Sequence, residues 1–103
     1  MLFLLWFKIS QPHNLDQRGL MSVWRREAEA ALPAVKTGKV KALYKVSGRR
    51  EVVAVVDVES HEELDELLEG LPIVRELGHS VTVEVHAIHP YENFYELTKK
   101  LSS

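Results

Sequence analysis

The stretch VVAVVDVESHEELDELLEGLP, Val52 to Pro72, constrains the fold more than any other part of the chain. Val52 to Val58 is a β-branched run almost without polar breaks, the pattern of a strand covered on both faces. Ser60 follows as a helix N-cap, because its hydroxyl can accept a free backbone N–H of the first turn. Glu63 stands where its carboxylate can reach back to the N–H of the cap, forming a capping box. Leu64, Leu67, Leu68 and Leu71 then fall at helical spacing in one apolar stripe. Gly70 and Pro72 end the helix, glycine by tolerating a left-handed C-terminal residue and proline by lacking an N–H. A strand dry on both faces that leads into a one-sided helix requires a sheet beside it and cover for the sheet's far side.

The remaining elements supply the sheet. Leu2 to Ile9 is apolar on both alternating faces, so MLFLLWF reads as a first strand; it lacks the positive segment and small-residue cleavage site of a leader peptide. A polar connection, Gln11 to Gly19, precedes a helix expected from about Leu20 to Lys36. There Leu20, Trp24, Ala28, Ala31 and Val35 form a narrow wedge, with Met21 and Leu32 beside it. Pro33 conflicts with this helix and should kink it or end it early. Val40 to Val46 alternates, placing Val40, Ala42 and Tyr44 on one face and Lys41, Leu43 and Lys45 on the other. Ser47 to Arg50 reads as a hairpin turn with Gly48 at a positive φ. Ile73 to Ser80 reads as irregular. Val81 to Ile88 alternates as a last strand, with Val81, Val83, Val85 and Ala87 on its dry face. His89-Pro90 ends it, and Tyr91 to Leu101 forms a short amphipathic helix with Phe94, Leu97 and Leu101 in line.

The order β-α-β-β-α-β plus a terminal helix predicts an α+β fold of the ferredoxin-like kind, with a four-stranded antiparallel sheet and two helices on one face. With 103 residues, one domain over 1–103 is expected, residues 91–103 being a helical extension. No element is left for the second sheet face, so two copies are expected to pack sheet to sheet, as a homodimer or a higher assembly. A net charge of −2 with no basic block gives no case for nucleic acid. No apolar run reaches the roughly 18 residues of a membrane span. With no cysteine, disulfides and thiolate chemistry are excluded, which fits a reducing cytoplasm. The five histidines are scattered; His86 and His89 point to opposite strand faces, so no metal site is expected. No phosphate loop or nucleotide fingerprint is present.

MLFLL, the Gly38 to Gly48 strand and turn, the Asp-Val-Glu-Ser of Asp57 to Ser60, L-x-x-L-L-x-x-L-P over Leu64 to Pro72, and His89-Pro90 occur in the order found in muconolactone delta-isomerases, and the chain resembles that family over about residues 1 to 90. The resemblance implies a dimeric α+β barrel, sheet-paired dimers built into decamers, and a cofactor-free double-bond shift in an unsaturated lactone during aromatic-compound breakdown. It also marks a departure. The family's Trp-Arg-His-Leu-Trp-Arg run on the second strand is here Val40-Lys41-Ala42-Leu43-Tyr44-Lys45, and lysine keeps the charge but loses the bidentate fork of arginine.

Such an isomerisation needs a partly desolvated base next to a carbonyl-conjugated system and a cation for the substrate carboxylate. Glu27, at the edge of the first helix's wedge near Trp24, is the candidate base, and it aligns with an acidic family position. The alternative is a boundary glutamate paired with nearby arginines, of which Arg25 and Arg26 flank it. Lys41 and Lys45 align with the family's arginines and are candidate carboxylate anchors, or charged residues of an exposed strand. Tyr44 and Trp24 are candidate pocket walls, Tyr44 with a hydroxyl to donate. His89 is a second candidate for proton transfer, its alternative being to orient the C-terminal segment. Two other readings share the scaffold: a cofactor-free monooxygenase of an aromatic substrate, and a non-catalytic binding or assembly module, which a filled interior would favour.

Overall fold

The computed structural model describes residues 1–103. Its elements are β1 (Leu2–Ile9), α1 (Gln17–Thr37), β2 (Val40–Lys45), β3 (Glu51–Asp57), α2 (His61–Glu69), α3 (Pro72–Leu77), a single 3₁₀ turn (Gly78–Ser80), β4 (Val81–Ile88) and α4 (Tyr91–Leu101). The four strands form one antiparallel sheet in the order β2-β3-β1-β4. This is the expected ferredoxin-like α+β arrangement. β1 is central because both of its faces are apolar: Phe3, Leu5, Phe7 and Ile9 are buried under the helices, while Leu2, Leu4 and Trp6 on the outer face are only half-buried. No helix is long and apolar enough to cross a membrane.

The core lies between the sheet and α1, α2 and α3. Leu20 and Val23 of α1, Leu64 of α2, and Ile73 and Leu77 of α3 close over Ala54 and Val56 of β3. Helix α2 is capped by Ser60, whose Oγ accepts from the Glu63 N–H at 3.1 Å. The return bond differs from the expectation: Glu63 accepts from the N–H of Glu59, one residue before the cap.

Six local expectations are corrected. Helix α1 starts earlier, at Gln17, because Asp16 caps it through the Gly19 N–H. It runs through Pro33 to Thr37; Pro33 and Glu29, whose carbonyl loses its intrahelical donor, are both exposed, so water can replace the bond. Gly38 ends it at φ 85°. Gly70 is right-handed, at φ −84°, so α2 stops because Leu71 precedes a proline and is extended. Pro72 then opens a further helix, α3, where an irregular stretch was expected. The dry face of β4 is covered along only half its length: Val81 and Val83 are half-buried, Val85 is 44% exposed and Ala87 is exposed. In β2, a bulge between Val40 and Ala42 pairs Val40 with Val56 but Ala42 with Val55. Beyond the bulge Leu43 and Lys45 lie opposite Ala54 and Val52 on the helix side, while Ala42 and Tyr44 turn to the outer face with Val55 and Val53.

Helix α4 stands apart. No other element packs along it, none of its residues is buried, and the molecule is 60 Å long against 25 and 22 Å across.

Candidate active site

A cavity of about 200 Å³ lies between the inner sheet face and helices α1, α2 and α3. Its floor is formed by β1 and β3 side chains, including Leu5, Phe7 and Ala54; its roof by Trp24, Ala28 and Ala31 of α1; its far wall by Leu67, Leu71 and Ile73. Of 17 lining residues, 15 are hydrophobic, and the two charged ones are Glu27 and Lys45.

Glu27 enters the cavity because the buried stripe of α1 is rotated from the predicted wedge. Leu20, Val23, Trp24, Glu27, Ala31 and Ala34 face inward, whereas Met21, Leu32 and Val35 are exposed. Glu27 therefore lies within the stripe rather than at its edge. Its Oε1 accepts from the backbone N–H of Ile73 at 2.8 Å, in the first turn of α3, and Oε2 has no partner. Desolvation raises its pKa above the ordinary carboxylate value, and the Ile73 bond offsets only part of that shift. The alternative of pairing with neighbouring arginines does not occur. Arg26 is held by Glu76 through two bonds of 2.6 and 3.0 Å, and Arg25 forms no ion pair. The Ile73 amide was missed in the sequence, yet Leu71-Pro72 carries its signal, since proline favours the first position of a helix.

Lys45 reaches the cavity's mouth because the bulge turns it to the helix side. Its ammonium lies 5.6 Å from the centroid of the Trp24 ring, donates to the Val46 carbonyl at 2.8 Å, and also bonds the Arg49 carbonyl. Lys41 sits at the bulge, exposed, with its ammonium near Gly38 rather than on the cavity. Tyr44 borders the cavity, but it is 71% exposed and its hydroxyl has no partner. His89 is not brought to Glu27. It follows β4, at the sheet edge opposite β2, in a shallow depression with Phe3, Asp57 and His61. The chain thus unites Glu27, Trp24 and Lys45, sets Tyr44 at the rim, and leaves Lys41 and His89 outside.

No group of three or more acidic or histidine side chains is placed to hold a metal ion. The site can hold an apolar body against one carboxylate whose pKa is raised, with one cation at the entrance.

Comparison with known proteins agrees with this architecture. Residues 1–93 match the family described as muconolactone delta-isomerase. A muconolactone delta-isomerase of Cupriavidus pinatubonensis (strain JMP 134 / LMG 1197) is 34% identical over 73 residues, covering 71% of this chain and 79% of that protein. The crystal structure of a muconolactone isomerase superposes with a TM-score of 0.72 at 26% identity, over 87% of this chain and 92% of the other.

Proposed function

Because the chain belongs to the muconolactone delta-isomerase family, we propose that it is a cofactor-independent isomerase that shifts a double bond in a small anionic lactone by removing and returning one proton. Glu27 is the base. Its unpartnered Oε2 takes the proton from the carbon next to the lactone's conjugated system, leaving a delocalised enolate. The same carboxyl, now protonated, returns the proton at the far end of that system, so no atom is gained or lost. Lys45, at the mouth, holds the substrate carboxylate as a point charge. Trp24 flattens one wall against the ring, and Tyr44 borders the rim.

The observation that carries this reading is Glu27 itself: a half-buried carboxylate with no cation beside it, its pKa raised by desolvation, in a cavity otherwise lined by hydrocarbon and one lysine. An open interior also speaks against a module that has lost its pocket. The test is an ultraviolet assay of muconolactone turnover by the wild type and Glu27→Gln. Turnover confined to the wild type supports the assignment; turnover in both moves the base elsewhere; turnover in neither removes this substrate.

We further propose that the working unit is an assembly of identical copies. The outer sheet face presents Leu2, Leu4, Trp6, Val53 and Val55 without cover, and α4 presents Phe94, Leu97 and Leu101 to no neighbour. Light scattering at micromolar concentration is expected to give at least a dimer, and a stable monomer would overturn this.

A further inference from the structure

The cavity shares Ile9, Trp24 and Lys45 with a second, polar basin at the hairpin between β2 and β3. Four cations line that basin, Lys8, Lys45, Arg49 and Arg50, against one acid, Glu51. Two of the four have anionic partners: Lys8 pairs with Glu84 at 2.6 Å and Arg49 with Glu51 at 3.6 Å. The other two meet only neutral oxygens. Lys45 is held by the Val46 and Arg49 carbonyls, and Arg50 donates to Gln11 Oε1 at 2.8 Å and Gln17 Oε1 at 3.3 Å. Gln11 is in turn fixed by its own bond to the Leu15 carbonyl at 2.7 Å. A cation held by neutral acceptors keeps its charge uncompensated, and a guanidinium already held in place loses less entropy when an anion binds.

The two compartments differ sharply in what they accept. The cavity is hydrocarbon apart from Glu27 and Lys45, so an anionic head inside it would be desolvated and would face the Glu27 carboxylate. The basin is wet and cationic. For comparison, an apolar protein cavity of roughly 150 Å³ suffices for benzene, and this one is about 200 Å³.

We propose that the substrate class is an amphiphilic anion with a hydrocarbon-rich ring or alkyl body, the body filling the cavity and the carboxylate lying at the mouth between Lys45 and Arg50. Arg50 is then a specificity-determining residue that fixes which end enters. Head at the mouth and body inward brings the carbon skeleton, rather than the charge, against Glu27. This deepens the proposed function and rests on the same cavity being the reaction site. It adds that more apolar relatives of a bare polar lactone bind better.

The test is calorimetric titration of the full chain with benzoate, 4-methylbenzoate, 4-ethylbenzoate, 4-propylbenzoate and the uncharged 4-propylbenzamide, with muconolactone turnover measured in parallel. Each added carbon is expected to tighten binding about fourfold, the worth of one buried methylene. The amide is expected to bind at least about fivefold more weakly than its acid, since it forgoes charge-assisted bonds. Arg50→Gln should shrink the acid-to-amide ratio while leaving the gradient with chain length intact, and Arg50→Lys should restore most of the ratio. A flat series would overturn the placement of the body, and an unchanged ratio in Arg50→Gln would overturn the role of Arg50. Binding that follows the expected pattern without muconolactone turnover would sink the proposed reaction and leave this inference standing. Turnover with a flat series and an unchanged ratio would do the reverse.

Discussion

Glu27 and Glu63 sit in different parts of the molecule and make the same bond, a carboxylate oxygen accepting a backbone N–H at 2.8 and 2.6 Å respectively. Their acidities move in opposite directions. Glu63 lies at the surface beside Lys39, at 3.0 Å; the Glu59 N–H, and then Lys39, hold its pKa below the ordinary value. Glu27 lies in a largely hydrocarbon cavity with no cation paired to it, and desolvation outweighs its one hydrogen bond. A hydrogen bond to backbone therefore does not decide what a carboxylate is for. The solvent it has lost and the charge beside it do: one acid is held in its ionised form and secures a helix, while the other is shifted toward its protonated form.

The contrast can be broken or sharpened at several strengths. The largest effect is expected at Glu27. Glu27→Gln keeps an oxygen to accept the Ile73 N–H but cannot take a proton, so turnover should fall by at least about 100-fold, the usual worth of general-base catalysis. Thermal unfolding of the same variant should show a fold that stays intact; a collapse would mean that Glu27 is structural. At the other end of the comparison, Ser60→Ala removes the α2 cap and should cost about 1 kcal/mol, lowering Tm by about 4–8 °C for a domain of this size. Turnover should not change; a loss would couple α2 to the site.

Smaller still are the effects of pH on stability, and they carry opposite signs. The folded state raises the pKa of Glu27, so it binds that proton more tightly than the unfolded chain does. Its contribution is present below the ordinary value of about 4.3 and is lost as pH rises through the folded value. Glu63 is depressed, so its contribution is present above the ordinary value and lost as pH falls through the folded one. Denaturant titrations through the mildly acid range should give a more positive slope of stability with pH in Glu27→Gln and a more negative one in Glu63→Gln. Slopes that move together would refute the distinction. For turnover, kcat/KM should rise with pH to a plateau, with its midpoint above the ordinary carboxylate range.

Much of this was legible in the sequence where local pattern and tertiary context agree. The two-sided apolar run of β1, the β-branched run of β3, the Ser60 cap, and the Phe94–Leu101 stripe of α4 lie where periodicity places them. Glu27 was legible as a boundary acid, although its place inside the buried stripe depends on how α1 rolls over the sheet, which Leu20 and Val23 decide by packing. Other features required the third dimension. Pro33 is tolerated because it faces water, Pro72 starts a helix instead of only ending one, and the β2 bulge reverses which residues look inward. That reversal turns Lys45 inward and Tyr44 outward and leaves Lys41 at the bulge. His89 follows the edge strand β4 and lines a different depression from the cavity that holds Glu27.

Helix α4 has a thermodynamic corollary. It has eleven residues, and no neighbour lies along it; an isolated helix below about 12–15 residues is marginal in water. Its Tyr91–Phe94 ring contact and Lys99–Glu96 pair add only small increments. In the proposed assembly of identical copies, the order of this segment comes from a neighbouring copy. Far-ultraviolet circular dichroism thus becomes an assembly gauge: on dilution, helical signal should fade from these residues first, while the sheet keeps its signature.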